Sequence, residues 1–116
     1  MRDWTTIRER FLRDNVPVRL GGLAANLRRI YSFAGHDANS SSVAGLLDES
    51  KFFIEWTARE TSMETAAELV ELQVLIACWQ REWVRIWSDP ARRREVAEGA
   101  RVWSDRVLNL SGLLGT

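Results

Sequence analysis

A chain of 116 residues with 46% hydrophobic and 28% charged side chains has the make-up of a folded globular protein and the length of a single domain spanning 1–116, which excludes a disordered or fibrous class. Its 16 basic and 16 acidic groups cancel, so no overall field draws it to nucleic acid or to an anionic membrane. One cysteine, Cys78, and one histidine, His36, exclude an intramolecular disulfide and a structural zinc site, and point to a reducing, cytoplasmic setting.

The first stretch, MRDWTTIRERFLRDN, carries charges every few residues and lacks the continuous apolar run of a signal peptide. Trp4, Ile7, Phe11 and Leu12 give it one apolar face, which predicts a short helix over 3–15. Pro17 opens a second helix over 17–35, since proline lacks an amide hydrogen that the first helical turn does not need. Its core stripe is Leu20, Leu23, Leu27, Ile30 and Ala34. Gly21 and Gly22 sit inside this helix, where each costs roughly 1 kcal/mol relative to alanine. A kink or a close helix approach would account for them.

NSSS opens a third helix over 41–59, with a less regular stripe of Val43, Leu46 or Leu47, Ser50, Phe53 or Ile54, and Thr57. Thr61 followed by Glu64 forms a capping-box pattern, in which hydroxyl and carboxylate each satisfy a free amide of the other's backbone. Leu69, Leu72, Ile76, Trp79, Trp83 and Ile86 then alternate spacings of three and four, predicting one long helix over 62–88. In SDPARRREV, Ser88 or Asp89 caps a last helix over 90–113 with Pro90 in its first turn. Val96, Ala100, Trp103, Val107, Leu110 and Leu114 form its stripe, and SGLLGT ends it in glycine-rich sequence.

No strand competes with these segments, and charged or amide side chains interrupt every apolar stretch well short of the roughly 20 residues that span a bilayer. Short connections favour antiparallel neighbours. The expected fold is all-α, an up-down-up-down four-helix bundle with a short additional N-terminal helix.

Six tryptophans are the unusual feature of the composition. Trp79 and Trp83 share the apolar face of the fourth helix, so core filling is their expected role. Trp56 and Trp87 lie nearer stripe edges, and Phe52 lies with Trp56 off the main face of the third helix. Such edge aromatics either form a dimer interface or cover the N-terminal helix. Phe52, Trp56 and Trp87 are therefore the candidate interface residues.

Catalysis finds little support. His36 and Asp37 fall in the loop GHDAN with no serine or cysteine nucleophile in a recognisable context, and no glycine-rich phosphate loop occurs. A two-metal bundle site needs paired Glu-x-x-His motifs that one histidine cannot supply. Glu60, Glu64, Glu68 and Glu71 are expected to fall opposite the apolar stripe as a solvated face. Neither catalytic activity, metal nor cofactor is expected.

Charge is nevertheless segregated: residues 1–36 carry +4, 37–71 carry −6 and 72–116 carry +2. An up-down bundle would gather Arg81, Arg85, Arg92, Arg93 and Arg94 at one end with Arg28 and Arg29, and Glu55, Glu60, Glu64 and Glu68 at the other. Arg92, Arg93 and Arg94 occupy a first helical turn, where the macrodipole disfavours cations. They are expected to pair with acids of a neighbouring helix or subunit, or to bind an anion. Fifteen arginines against one lysine would suit bidentate phosphate binding, but base composition of the gene explains the bias as simply. No helix-turn-helix spacing supports nucleic-acid readout.

The stretches GLAANLRRIYSF, DESKFFIEWTA, AELVELQVLIACWQREWVRIWSDP and LNLSGLL together resemble a family of small, functionally uncharacterised all-helical proteins of cyanobacteria. The resemblance covers nearly the whole chain and implies a cytoplasmic helical domain, with no activity or site to carry over. The expected role is a protein-interaction module acting as a homodimer. The alternatives are anion or nucleic-acid binding through Arg81, Arg85, Arg92, Arg93 and Arg94, and a small-molecule pocket between helices bounded by the tryptophans.

Overall fold

Four of the helices begin where a short polar side chain takes up a free backbone amide. The computed structural model describes residues 2–113. Within them Asp3 accepts from the Thr6 amide at 3.1 Å to start α1 (Trp4–Leu12). Asn15 accepts from Val18 at 3.1 Å to start α2 (Val16–Phe33), with Pro17 in its first turn. The hydroxyl and the amide of Thr6 hold the Asp3 carboxyl below its ordinary range, because both donors favour the charged form.

Helix α3 (Ser40–Thr57) follows a short 3-10 turn, Asp37–Asn39, and ends in another, Ala58–Glu60. Helix α4 (Met63–Arg81) starts one residue later than the capping-box pattern predicts. Ser62 is its cap, accepting from the Thr65 amide at 3.2 Å. The Thr61 hydroxyl instead donates to the Ala58 carbonyl at 2.6 Å and closes the preceding turn.

The single helix expected over 62–88 is two helices. At Glu82 the backbone leaves helical geometry (φ −98°, ψ 13°), and α5 (Trp83–Trp87) is a separate short turn. No proline or glycine stands there, so local propensity does not cause the break. Tertiary contact rewards it: Ile86 becomes buried, and the Trp87 indole N–H donates to the Asp37 carbonyl at 2.9 Å. Helix α6 (Pro90–Ser111) is capped by Asp89 and stopped by Gly112, whose left-handed φ of 75° suits glycine alone among common residues. Leu114, the predicted last member of its stripe, lies outside the described residues.

The described residues are all-helical, with no strand. The most extensive packing is between α2 and α6, then between α2 and α3. Small side chains in α2 let α6 approach closely, and the Ser104 hydroxyl of α6 donates to the Ala24 carbonyl at 2.8 Å. A Cβ on Gly21 would stand 2.7 Å from the Leu113 side chain, while one on Gly22 would meet only Phe11 at 3.9 Å. The helix runs through both glycines unbroken, so close approach at Gly21 is the explanation and a kink is not.

Of the predicted stripes, Leu20, Leu23, Leu27, Ile30, Ala34, Val43, Leu47, Leu69, Leu72, Ile76, Val96, Ala100, Trp103 and Val107 are buried. Both Phe53 and Ile54 are buried as well, whereas Leu46 and Leu110 are partly exposed. Ser50 and Thr57 are buried on α3 with no hydrogen-bond partner for either hydroxyl among the described residues. The overall extents are 37 × 34 × 21 Å, so the molecule is a slab about two helices thick. No described helix is long and apolar enough to cross a membrane.

One polar residue of the core escapes the stripe analysis. Arg19 is buried, and its guanidinium donates to the Asp14 carbonyl at 2.8 Å, the Leu12 carbonyl at 3.3 Å and the Glu60 carboxylate at 2.7 Å. It thereby satisfies the end of α1 and ties it to the turn before α4. Arg19→Ala is expected to lower unfolding stability by about 1.5–3 kcal/mol, the range for hydrogen bonds to a charged group, read by urea denaturation. Ser50→Ala should act oppositely and raise stability by about 1 kcal/mol, since it removes an unpaired buried hydroxyl. A loss on Ser50→Ala would show that the hydroxyl has a partner in solution.

Candidate interaction surface

The aromatic interface candidates turn inward on their own chain. Phe52 and Trp56, on successive turns of α3, are half-buried under α1. Trp4 stands 4.5 Å from Phe52 and 6.5 Å from Trp56 between ring centroids, and Phe11 stacks on Phe53 at 4.0 Å and tilts on Trp56 at 5.9 Å. This cluster fixes α1 to the rest of the molecule. Of the two roles open to edge aromatics, Phe52 and Trp56 fill the one beneath the N-terminal helix.

Trp87 lies elsewhere. It packs on Trp83 at 5.1 Å, donates to the Asp37 carbonyl, and carries the Arg93 guanidinium over its ring at 5.3 Å. Asp37 precedes α3 and Trp56 sits in its last turn, roughly 25 Å away along the helix axis. Phe52, Trp56 and Trp87 therefore do not make one surface.

Trp79 and Trp83 are partly buried at the margin of the core rather than inside it. Trp79 packs against α6, where a Cβ on Gly99 would be 3.0 Å from the outer edge of its ring. Only Trp103 among the six tryptophans is buried, at 6% exposure, with Arg106 stacked 3.8 Å above it.

The five candidate arginines differ in their partners. Arg93 is ion-paired with Asp37, and its side chain is only 12% exposed, which explains a cation placed against the α6 macrodipole. Arg85 reaches Glu82 at 3.9 Å. Arg92 and Arg94 flank Arg93 without an ion pair among the described residues. Arg81 and Arg85 share an open depression of about 510 Å³ with Gln80, Glu82, Trp83 and Val84. Arg28 and Arg29 do not join them: Arg28 lines a hollow with Ser104 and Asp105 midway along α6, and Arg29 donates to Asn26 at 2.9 Å. At the other end, Glu60 is paired with Arg19 and Glu68 with Arg106 at 2.7 Å. Much of the segregated charge is thus neutralised within the chain. His36 and Asp37 form no acid-base pair, since Asp37 is committed to Arg93.

What lies opposite the buried face of α4 is not the row of acids. Leu69, Leu72 and Ile76 are fully buried, and half a turn round the helix Met63, Val70 and Val74 are 86%, 49% and 59% exposed. Ala67 and Ala77 complete the same face in exposed positions. Glu64 and Glu71 flank it on the side toward α6, where Glu68 meets Arg106. Gln73 and Gln80 flank it on the other side, where Gln80 bonds Asp48 and Lys51 of α3 at 2.8 Å and 2.9 Å. Helix α4 is thus apolar on two opposite faces, and only one has a partner among the described residues.

Isolated exposed aliphatics are normal on a protein surface; here Met63, Ala67, Val70, Val74 and Ala77 form one row along the helix. The signal was present in the sequence as a second run of alternating four and three spacings, 63, 67, 70, 74, 77 and 81, hidden behind the longer residues of the first.

No protein family, curated protein or solved structure matches the chain. Trp87→Phe is expected to keep the stacking on Trp83, lose the bond to Asp37 and lower stability by about 1 kcal/mol, without changing the mass of the particle in solution. A change in mass would return Trp87 to the interface.

Proposed function

We propose that this chain is a non-enzymatic protein-interaction module of the cytoplasm that acts as a homodimer through the outward face of α4. Helices α2, α3, α4 and α6 serve in this reading as an up-down-up-down four-helix bundle, with α1 added across α3 and α5 as a folded-back extension of α4. The observation that carries the reading is the row of Met63, Ala67, Val70, Val74 and Ala77, exposed along a helix whose other face is fully buried. Burying such a row removes apolar surface from water at about 25 cal/mol per Å², and nothing among the described residues covers it. The candidate aromatics Phe52, Trp56 and Trp87 contribute indirectly, by holding α1 and α5 in place.

A second reading keeps the depression beside Trp83, where Arg81 and Arg85 could receive an anion. Glu82 lines the same depression and opposes that use. Salt-sensitive retention on a phosphate matrix, lost on Arg85→Gln, would favour it over the first.

Light scattering behind size-exclusion chromatography, across a concentration series, tests the main reading. The wild-type chain is expected to approach twice its monomer mass at high concentration. Val74→Glu, at an exposed position, should keep the circular dichroism of the wild-type chain and remain monomeric throughout. A wild-type chain that stays monomeric at every concentration overturns self-association.

A further inference from the structure

We infer that the occupant of the α4 face is α4 of a second copy, packed antiparallel about a two-fold axis that crosses the exposed face between Val70 and Val74, at the level of residue 72 along the helix. This rests on the homodimer reading and adds its geometry.

The argument comes from the order of residues on the exposed face. Positions 63, 67, 70, 74, 77 and 81 follow the spacing of the apolar seam of a coiled coil, and the row has two-fold symmetry about residue 72, the midpoint of a helix that runs from Met63 to Arg81. Reversing one copy against the other lays Val70 on Val74, Ala67 on Ala77, and Met63 on the aliphatic stem of Arg81. Like meets like in size at each level, which is what an isologous contact requires. The alanines at the intermediate level, Ala67 and Ala77, let the two helices approach closely there.

Charge agrees with this direction. Glu64 at the start of α4 and Arg81 at its end are both exposed and have no ion pair among the described residues. Antiparallel pairing places Glu64 of each copy beside Arg81 of the other, giving two intermolecular ion pairs at the ends of the seam. It also sets the helix macrodipoles head to tail. Parallel pairing would bring Glu64 to Glu64 and Arg81 to Arg81, leaving both repulsive. Glu71 of the two copies approaches near the axis on one flank, and this like-charge contact limits affinity. Gln73 on the opposite flank is neutral. With α4 about 28 Å long, one helix pair stands at the lower end of stable interfaces, so a dissociation constant of micromolar order is expected.

Cysteine cross-linking of the full chain in a Cys78→Ser background tests the arrangement, Cys78 being exposed and otherwise a competing thiol. Chains carrying Val70→Cys and chains carrying Val74→Cys, with different tags, are mixed at high concentration and oxidised. The antiparallel seam predicts the mixed 70-to-74 dimer at least fivefold above either same-position dimer. Same-position pairs are offset by about 6 Å along the axis, beyond comfortable disulfide reach. Same-position cross-links in excess, or all three in statistical proportion, overturn the antiparallel seam while leaving homodimer formation intact. A chain that shows neither cross-links nor a dimer mass takes both readings down.

A charge swap keeps the test independent of oxidation. Glu64→Arg should raise the Kd roughly tenfold by setting two cations together at each end, and adding Arg81→Glu to the same chain should restore it. Failure of the second change to restore binding overturns the pairing, and Glu71→Gln should tighten the dimer.

Discussion

Helix α2 has to satisfy two neighbours at once, and the rest of the structure follows from how it does so. Its Leu20, Leu23, Leu27 and Ile30 are buried, and burial of each such side chain stabilises by about 1.5–3 kcal/mol. To let α6 and α3 both pack against one 18-residue helix, α2 uses Gly21, Ala24 and Ala25 on the α6 side and Asn26 on the α3 side. Asn26 is buried but not orphaned: its amide donates to Glu49 at 3.0 Å and its carbonyl accepts from Arg29 at 2.9 Å. A buried amide with both ends satisfied fixes the register of α2 on α3, because sliding by a turn would leave it unpaired in the core.

With α2 occupied on both sides, α4 is left at the edge. It packs on α3 and, less extensively, on α6. An edge helix in a slab two helices thick has one face in the core and one in solvent, and its sequence is expected to be amphipathic. Helix α4 breaks that rule with valines, alanines and a methionine on its outer face. Other helices expose single apolar side chains, such as Val18, Val84 and Val102, but α4 sets them in a row.

The helical class, the number of long helices and most of the core were legible because apolar residues recur at three and four with capping residues between the runs. Asn15, Asp89 and Gly112 were readable for the same reason. Three things were not. The break at Glu82 has no local cause, since its driving contacts, Ile86 in the core and Trp87 on Asp37, are fixed only once α3 and α6 are in place. Arg19 was invisible because an arginine at a helix start looks solvated until the carbonyls of Leu12 and Asp14 and the Glu60 carboxylate converge on it. The pairing of Arg93 was hidden because proximity in sequence said nothing about Asp37, which takes up that arginine.

The tryptophans teach the complementary point about where to look for a partner. Tryptophan is enriched at binding hot spots, so a chain with six of them draws attention to its indoles. Here the indoles fill wedges where elements meet at awkward angles: Trp4 and Trp56 between α1 and α3, Trp79 against Gly99, Trp83 and Trp87 beneath the broken end of α4. A short helix of nine residues such as α1 buries too little to stay docked without such large side chains. Once the aromatics are committed to holding the chain together, the surface left for association is built from short aliphatics. Those bury less area per residue and have no anchor pocket to fill. In the proposed dimer, specificity would come from spacing and from the charges at the ends of the seam rather than from depth. Reversible association, responsive to concentration, is the behaviour we propose for this division of labour between aromatic and aliphatic residues.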